Sequence, residues 1–307
     1  MMAHPLQSYR EAAARLRVQG LLDAHSFTEW LGPAQRVTSP HLAALDAPVS
    51  FDDGVMVGQG LLAAQPVVVI AQEGLFNGGA VGEVHGAKIR GAMLRAVAER
   101  PRAVLLCVDS GGVRLHEANA GLIAISEIMR ALFAVQAAGI PVIALVGGTC
   151  GAFGGMGIVA RLCDAVIISE EGRLGLSGPE VIETVKGVEE FDSRDRALVW
   201  RITGGKIRRT LGEATLLVDD DIAAFRAAVV EVIGDRPRLS HKRGLSPTPT
   251  PATLQSLQAA QRQLAVRAAL DGAIRDGQQV WDQLGLGAEV SLMSPAEFNH
   301  CLEVREL

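Results

Sequence analysis

The sequence predicts an α/β protein in which buried strands alternate with helices. Hydrophobic residues make up 49% of the 307 residues and aromatic residues only 4%, so the core is built from Ala, Val, Leu and Ile. The middle of the chain alternates uninterrupted aliphatic runs with helical patterns, which is typical of parallel strands joined by helical crossovers. The 34 glycines favour tight turns and backbone that lies close to a ligand.

The first 50 residues are interpreted as an N-terminal helical extension, residues 1–50. A helix is predicted from Tyr9 to Gln19, and Ser26 to Glu29 as the start of another. A hairpin is predicted from Gly58 to Glu73, with an edge strand and a turn around Gln65-Pro66. Its second strand, Val67 to Ile70, is uninterrupted and β-branched, as expected for a strand that is buried on both faces.

The central domain is predicted over residues 51–235. A helix follows Gly78-Gly79 and ends at Arg100, because Pro101 cannot continue it. The predicted strands are Ala103 to Val108, Pro141 to Val146 and Ala165 to Ser169. The remaining predicted helices are Glu117 to Ala138, a segment ending near Leu162, 179–186, 190–203 and 221–233. Within the first of these helices, the predicted apolar face is Leu122, Ile125, Met129, Leu132 and Phe133.

The C-terminal part is divided into a linker and a second helical extension. Residues 236–252 are rich in Pro, Ser, Thr and basic residues, which is typical of a linker. Residues 253–307 form the predicted C-terminal helical extension, with a long helix from Thr253 to Gly285.

Charge and cysteine usage exclude several classes of function. The net charge is −5, from 29 basic and 34 acidic residues, and no basic domain stands out, so a nucleic-acid partner is not expected. No signal peptide is expected, because Met1 to Arg17 is polar and mixed in charge, and no membrane span is expected, because the longest apolar stretches are broken by Gly and Pro. The four cysteines form no CxxC pair, so we expect no metal site and no disulfide framework, and a cytoplasmic location fits.

Two glycine-rich turns hold most of the chemical information. The first is Ser110 to Val113 and the second is Gly147 to Gly155, and each lies where a predicted buried strand stops and a helix begins. Backbone N–H groups in such a turn, with the positive end of the following helix, favour an anion or an oxygen that becomes one. Two donors from separate turns would form an oxyanion hole. The alternative is a pair of tight turns in a compact α/β fold.

Three other motifs are given little weight. Asp109-Ser110-Gly111-Gly112 is similar to the nucleophile turn of serine proteases, but it ends a buried strand in an alternating pattern and no matching upstream His framework is present. The second turn does not follow the G-x-G-x-x-G spacing of a dinucleotide site. His116-Glu117 lacks the second His of a zinc-binding helix.

The segment from Pro141 to Glu180 resembles the crotonase superfamily. It combines a P-V-I-A strand, a glycine-rich turn, a helix, Cys163-Asp164, a strand and a short segment from Leu174 to Glu180. The resemblance implies a crotonase-like superhelix of ββα repeats. The glycine turn is longer here than in the hydratases of that superfamily, and their acidic catalytic residues have no clear equivalents.

Three earlier motifs resemble the carboxyltransferase branch of that superfamily. They are Phe76 to Ala80, His85 to Ile89, and Asp109 to Arg114, where the S-G-G-A-R turn of the branch becomes S-G-G-V-R. The chain lacks the four-cysteine ribbon of bacterial acetyl-CoA carboxylase β subunits and has room for only one crotonase-like half. With the S-F-T-E-W-L segment, this makes it similar to the β subunits of malonate decarboxylases.

The resemblance implies an enzyme that decarboxylates a malonyl thioester to an acetyl thioester through an enolate. The implied catalytic residues are Gly111, Gly112 and Val113, whose N–H groups would hold the enolate oxygen, and Gly151 and Ala152, which would either complete this oxyanion hole or orient the departing carboxylate. The residues implied in binding the CoA-like phosphopantetheine arm are Lys88, Arg114, Gly78 and Gly79. For Lys88 and Arg114 the alternative is a structural or solvated charge. His85, His116 and Glu117 are conceivable proton sources, although each also suits a structural role.

The same resemblance implies partners and leaves two other functions open. A homologous γ subunit would share the active site and is the alternative source of the proton, while an acyl carrier protein and its transferase would deliver the malonyl group. No cofactor is expected to be covalently bound to this chain. The first other function is the β subunit of a biotin-dependent acyl-CoA carboxyltransferase. The second is a non-catalytic scaffold that docks the carrier.

Overall fold

The computed structural model describes residues 7–234 and 276–305, and their organising element is one seven-stranded sheet. The strands follow one another in sequence order: β1 (Thr28–Glu29), β2 (Val55–Leu62), β3 (Gln65–Gln72), β4 (Ala103–Val108), β5 (Val142–Val146), β6 (Ala165–Ser169) and β7 (Leu216–Val218). β1, β2 and β3 pair antiparallel, whereas β3 to β7 pair parallel.

Eleven α-helices lie within the described ranges. They are α1 (Ala14–Leu21), α2 (Pro40–Ala44), α3 (Glu83–Glu99), α4 (Ala120–Ala137), α5 (Gly154–Leu162), α6 (Pro179–Lys186), α7 (Arg196–Thr203), α8 (Gly205–Thr210), α9 (Ile222–Gly234), α10 (Gly277–Gln283) and α11 (Pro295–Val304). Short 3-10 turns span Asn77–Gly79, Leu115–Glu117 and Ala288–Leu292.

The sheet is covered on both faces by helices, which explains its continuous aliphatic strands. Alternate residues of β4 point to opposite sides. Val104, Leu106 and Val108 join the core cluster that contains α3, α4 and α5, whereas Leu105 and Cys107 join the cluster that contains α1 and α9. The predicted α/β class is confirmed, and strands buried on both faces leave no polar alternation in the sequence.

Isolated β-bridges, each between single residues, connect the turns that follow the parallel strands. Val81 bridges Val113, and Ala152 bridges both Ser110 and Leu174, all in parallel. These residues lie just beyond β3, β4, β5 and β6. The carboxyl ends of four neighbouring strands are therefore fixed to one another by backbone hydrogen bonds, and this is the end of the sheet at which both glycine turns lie.

The structure corrects several predictions near the N-terminus. Ser26 to Glu29 starts no helix, because Thr28–Glu29 pairs with β2 as an edge strand. The predicted helix from Tyr9 begins only at Ala14. The hairpin turn lies at Ala63-Ala64, both with positive φ, rather than at Gln65-Pro66, which begin β3.

The apolar face predicted for α4 is partly wrong. Leu122 and Phe133 are exposed, while Ile128 and Val135 are buried with Ile125 and Leu132. α4 is apolar around much of its circumference, and its length and composition alone would allow it to cross a membrane. In this protein its buried face packs against α3 and the sheet, as in a core helix.

The short elements α2, α8, β1 and β7 were not predicted from the sequence. β1 also connects the predicted N-terminal extension to the sheet of the central domain. The predicted linker, 236–252, and most of the helix predicted from Thr253 to Gly285 lie outside the described residues, and the last part of that helix coincides with α10. The division into domains stays a prediction.

Candidate active site at the glycine turns

The two glycine turns meet at the carboxyl end of the sheet. The Ser110 N–H donates to the Gly151 carbonyl (2.7 Å), and the Phe153 N–H donates to the Ser110 carbonyl (2.9 Å). A Cβ placed on Gly154, the first residue of α5, would lie 3.1 Å from the Gly112 Cα. The N-terminus of α5 therefore lies beside Gly112, and its dipole favours negative charge there.

Gly112 has the features expected of a residue whose backbone faces a ligand. Its φ is +143°, and a Cβ at this position would meet no other heavy atom within 4 Å. Its N–H makes only a long contact, 3.3 Å, with the Ser110 hydroxyl. Open space and a weakly engaged donor coincide here, next to a helix N-terminus. Among the described residues, the neighbouring Val113 N–H also meets no acceptor.

The other predicted donors differ in availability. The Gly111 N–H donates to the Gly78 carbonyl (2.9 Å), and the Ala152 N–H donates to the Arg173 carbonyl (2.8 Å). Each N–H therefore holds one turn against another, and donation to a ligand by either group stays a prediction. Gly151 has a φ of +74°, and its N–H makes a longer bond of 3.3 Å with the Gly148 carbonyl.

Gly78 and Gly79 lie against the first glycine turn. Gly78 has open space above it, as Gly112 does, and its φ is +63°. Gly79 is required for packing, because a Cβ there would fall 1.8 Å from the Asp109 carbonyl oxygen. Gly78 thus borders the open region, while Gly79 allows the turn after β3 to touch the turn after β4. Their predicted contact with the arm stays a prediction.

Lys88 and Arg114 are interior cations, which favours the alternative of a structural charge over contact with the phosphopantetheine arm. The Lys88 ammonium donates to the carbonyls of Asp52 and Val55, both at 2.6 Å, and burial lowers its pKa. Arg114 is 1% exposed and pairs with Asp53 (2.9 Å) and Glu117 (2.8 Å). The side chains of both cations turn inward, so neither is available to a ligand at the turns.

Two of the three conceivable proton sources belong to the same interior network. The His85 ring lies between the Asp53 carbonyl (2.9 Å) and the Gln72 amide (3.0 Å), and burial lowers its pKa to about 3. Burial raises the pKa of Glu117, but the Glu83 N–H and Arg114 outweigh it and leave that pKa below its usual value. His116 is exposed in the 3-10 turn Leu115–Glu117, which follows the first glycine turn.

Ser110 is part of the turn itself. Its hydroxyl is buried and lies 3.2 Å from the Gly112 carbonyl and 3.3 Å from the Gly112 N–H. Its backbone N–H and carbonyl both bond to the second turn. This geometry suits a residue that shapes the loop rather than a nucleophile, in agreement with the little weight given to the serine-protease motif.

Sequence reasoning missed Asp109 and its partner Arg17. Asp109 is 1% exposed; one carboxylate oxygen accepts the Cys150 N–H (2.7 Å) and the other pairs with the Arg17 guanidinium (2.9 Å). Burial raises the Asp109 pKa, and Arg17 and the Cys150 N–H oppose that rise. The only local signal was an acidic residue at the end of an apolar strand. Arg17 lies 92 residues away and gave no signal at all.

Comparison with known proteins adds the family. The carboxyl transferase domain matches residues 10–267. The chain is 44% identical, over 74% of its length and 76% of the relative, to the malonyl-S-ACP:biotin-protein carboxyltransferase MADC of Malonomonas rubra. The methylmalonyl-CoA carboxyltransferase 12S subunit of Propionibacterium freudenreichii is 34% identical over 59% of this chain and 33% of its own.

Solved structures agree with the sequence relatives. A Pseudomonas malonate decarboxylase hetero-tetramer in complex with malonate contains a chain with a TM-score of 0.76 and 41% identity, matched over 90% of this chain and 96% of that chain. A Pseudomonas malonate decarboxylase hetero-dimer gives a TM-score of 0.62 and 38% identity, over 84% and 97%. The predicted crotonase-like, carboxyltransferase-type enzyme and its likeness to malonate decarboxylase subunits are confirmed, and the chain belongs to the carboxyl transferase domain family.

Proposed function

We propose that this chain is the β subunit of a malonate decarboxylase, which converts malonyl-S-acyl carrier protein to acetyl-S-acyl carrier protein and CO2. The observation that carries the proposal is the open space at Gly112, bordered by weakly engaged N–H donors and the N-terminus of α5. The relatives support the substrate class, because two of the structural matches are malonate decarboxylase assemblies and one of them contains malonate.

The chemistry that this site suits is the stabilisation of a thioester enolate. When the bond between the malonyl carboxylate and Cα breaks, CO2 leaves and the electron pair moves through Cα onto the thioester oxygen. The Gly112 N–H, with Val113 beside it, would donate to that oxygen. Such donors accelerate the reaction because the oxygen carries more charge in the transition state than in the ground state. Protonation of Cα then gives the acetyl thioester.

We propose a narrower set of oxyanion donors than the family resemblance implied. With the N–H groups of Gly111 and Ala152 engaged by carbonyls, the turn after β5 contributes mainly the α5 N-terminus and Gly151. We propose that Gly151 orients the departing carboxylate. The positive helix end binds and positions that anion, while the acceleration itself comes from the donors at the thioester oxygen, where charge increases in the transition state.

The proton donor is proposed to come from a partner subunit. His85 and Glu117 are interior residues with protein partners, and the low pKa of His85 keeps its ring neutral at physiological pH. His116 is the exposed candidate within this chain. A homologous γ subunit would supply the missing group and the second half of the site, while the malonyl group arrives on a carrier protein that a transferase has loaded.

An exposed apolar surface beside the glycine turns fits this shared site. Leu176, whose carbonyl accepts the Gly154 N–H, is 64% exposed. On α6, Val181 and Val185 are 54% and 80% exposed, and Pro179 is the buried residue of that helix. Contiguous exposed apolar side chains mark interaction surfaces, and the structural relatives are hetero-oligomers. We propose that α6 and Leu176 contact the γ subunit.

The proposed function is tested with the assembled enzyme. This chain is co-expressed with the proposed γ subunit and supplied with malonyl thioester, and the release of CO2 is measured. We expect turnover from the complex and little from this chain alone. Full turnover by the isolated chain contradicts the shared site, and a complex that consumes no malonyl thioester contradicts the proposed reaction.

A second candidate is favoured by one specific observation. The 44% identical relative from Malonomonas rubra is a malonyl-S-ACP:biotin-protein carboxyltransferase, so the same fold could transfer the carboxyl group to biotin. Avidin separates the two, since it binds biotin and blocks any transfer to it. Decarboxylation that continues in excess avidin supports the biotin-independent β subunit, and inhibition supports the carboxyltransferase.

A further inference from the structure

One buried carboxylate contacts the turns that follow three successive strands. Asp109 belongs to the turn after β4 and accepts the Cys150 N–H from the turn after β5. A Cβ on Gly148 would lie 2.1 Å from the carboxylate carbon of Asp109, and a Cβ on Gly74, after β3, would lie 2.5 Å from one of its oxygens. The three turns therefore pack around one side chain, and glycine is needed at two of the contacts because no side chain fits.

Arg17, on helix α1, pairs with the Asp109 carboxylate. Every nitrogen of its guanidinium has a defined acceptor: Nη1 meets Asp109 (2.9 Å), Nε meets the Tyr9 carbonyl (2.8 Å) and Nη2 meets the Arg10 carbonyl (3.1 Å). The same helix contacts the turn after β3, where Glu73 accepts the Ala14 N–H at 2.9 Å. α1 thus holds two of the turns through the carboxylates of Glu73 and Asp109, and no atom of these groups lies within 4 Å of a Cβ placed on Gly112.

We propose that Asp109 and Arg17 are positioning residues, which hold the Gly112 and Gly151 turns at the separation that the active site requires. This inference rests on the proposed function for its catalytic consequence, but its geometric part does not. Neither side chain reaches the open space, so neither touches the substrate. Misplacement of catalytic groups by about 1 Å costs up to about 100-fold in rate. The pair is therefore expected to affect kcat rather than KM.

The first experiment measures kcat and KM for malonyl thioester in the assembled complex. We expect kcat to fall about 10- to 100-fold in Asp109→Asn and Arg17→Met, with KM within about twofold. Arg17→Lys, which keeps the charge facing Asp109, recovers part of kcat. The matched control is Arg226→Met, which removes an ion pair with Asp23 in the same helical layer but at the other end of the sheet, beside the β2–β3 turn. Its kcat stays at the wild-type value.

Removing one member of a buried ion pair is strongly destabilising, so the single variants can fail to fold. The double variant Arg17→Met/Asp109→Asn leaves no unpaired charge, so its kcat is measured where a single variant does not fold. If the pair acts as a unit, the double variant loses no more kcat than either folded single variant. Wild-type kcat in the folded double variant overturns the proposal.

Hydrogen exchange tests the geometric part independently of any reaction. In the folded double variant, we expect faster amide exchange in residues 109–114 and 147–154 than in the wild type, with α4 and the Arg226→Met control unchanged. Unchanged exchange at both turns overturns the proposal even when the wild type is active. If the wild type decarboxylates nothing but the turns lose protection, the proposed function fails and the positioning role stands.

Discussion

The segment from Asp109 to Glu117 contains two regions with opposite environments. In the first, a Cβ on Gly112 would meet no heavy atom within 4 Å, so the backbone of this glycine borders open space. In the second, the Arg114 and Glu117 side chains turn inward and form a buried network with Asp53. A single S-G-G-V-R motif therefore contains both the backbone of Gly112, which borders the proposed binding site, and the Arg114 side chain, whose buried ion pairs stabilise the fold. The charged side chain in such a motif is not evidence of ligand contact.

The largest effect is expected at the open glycine. Gly112→Val forces a β-branched residue to a φ of +143° and fills the ligand space, so decarboxylation by the complex should fall at least about 100-fold. The control is Gly139→Val, which has a φ of +78° and equally open surroundings at the far end of the sheet. Both variants should lose stability through backbone strain, about 1–3 kcal/mol. Wild-type turnover in a folded Gly112→Val complex would remove Gly112 from the site.

The buried network around Arg114 should affect stability instead. Arg114→Met leaves Asp53 and Glu117 as buried carboxylates without their cation, which typically costs about 3–5 kcal/mol. Urea denaturation of the variant should show a much lower midpoint than the wild type. The matched control is Arg130→Met, where the lost ion pair with Glu127 is on the surface and the arginine is 77% exposed. An unaltered midpoint in Arg114→Met would contradict the interior role.

The effect expected from His85 depends on pH and, over any single pH unit, is smaller than that of Arg114→Met. Its pKa is lowered to about 3 in the folded protein, whereas an unfolded His titrates near 6.5. Its contribution to stability is therefore complete above about pH 6.5 and is lost as the pH falls towards 3, with a slope of at most about 1.4 kcal/mol per pH unit. His85→Gln should flatten the denaturation midpoint against pH over that window. Equal slopes in both proteins would show that the buried ring contributes nothing.

The smallest effect on the fold is expected on α6. Val185→Asp places a charge on a side chain that is 80% exposed, so the melting temperature of the isolated chain should not change. Co-purification with the γ subunit should fall if this surface is covered in the complex. Leu292→Asp, at an 85% exposed position on the far C-terminal segment, is the comparison variant. Equal recovery of the partner by both variants would contradict the proposed contact surface.

Much of the parallel sheet could be predicted from the sequence because its strands are buried on both faces. β4 and β6 match their predicted bounds, and α6 matches as well. β1 and β7 escaped because two or three residues are too few to establish a period. The buried face of α4 was misassigned for a different reason. Apolar residues lie on most sides of this helix, so their spacing does not distinguish the buried face from the exposed one.

For the candidate site, the sequence predicted the positions of the glycine turns but not the hydrogen-bond partners of their N–H groups or of the nearby side chains. Glycine positions report where a turn must be free of side chains, and Gly112 and Gly151 indeed have positive φ. Whether a given N–H is free depends on carbonyls from other turns, such as Gly78 facing Gly111, and no local pattern encodes that. The directions of the Lys88 and Arg114 side chains also depend on distant acceptors. For Arg114 one of these is Asp53, 61 residues away in the chain.

The most direct measurement is the distance from the Gly112 backbone nitrogen to the thioester oxygen in a crystal structure of the assembled complex with a non-cleavable malonyl thioester analogue. The present account predicts a hydrogen bond of about 2.7–3.1 Å, with the α5 N-terminus beside the carboxylate. A thioester oxygen that contacts only the partner subunit, with empty space above Gly112, would contradict it.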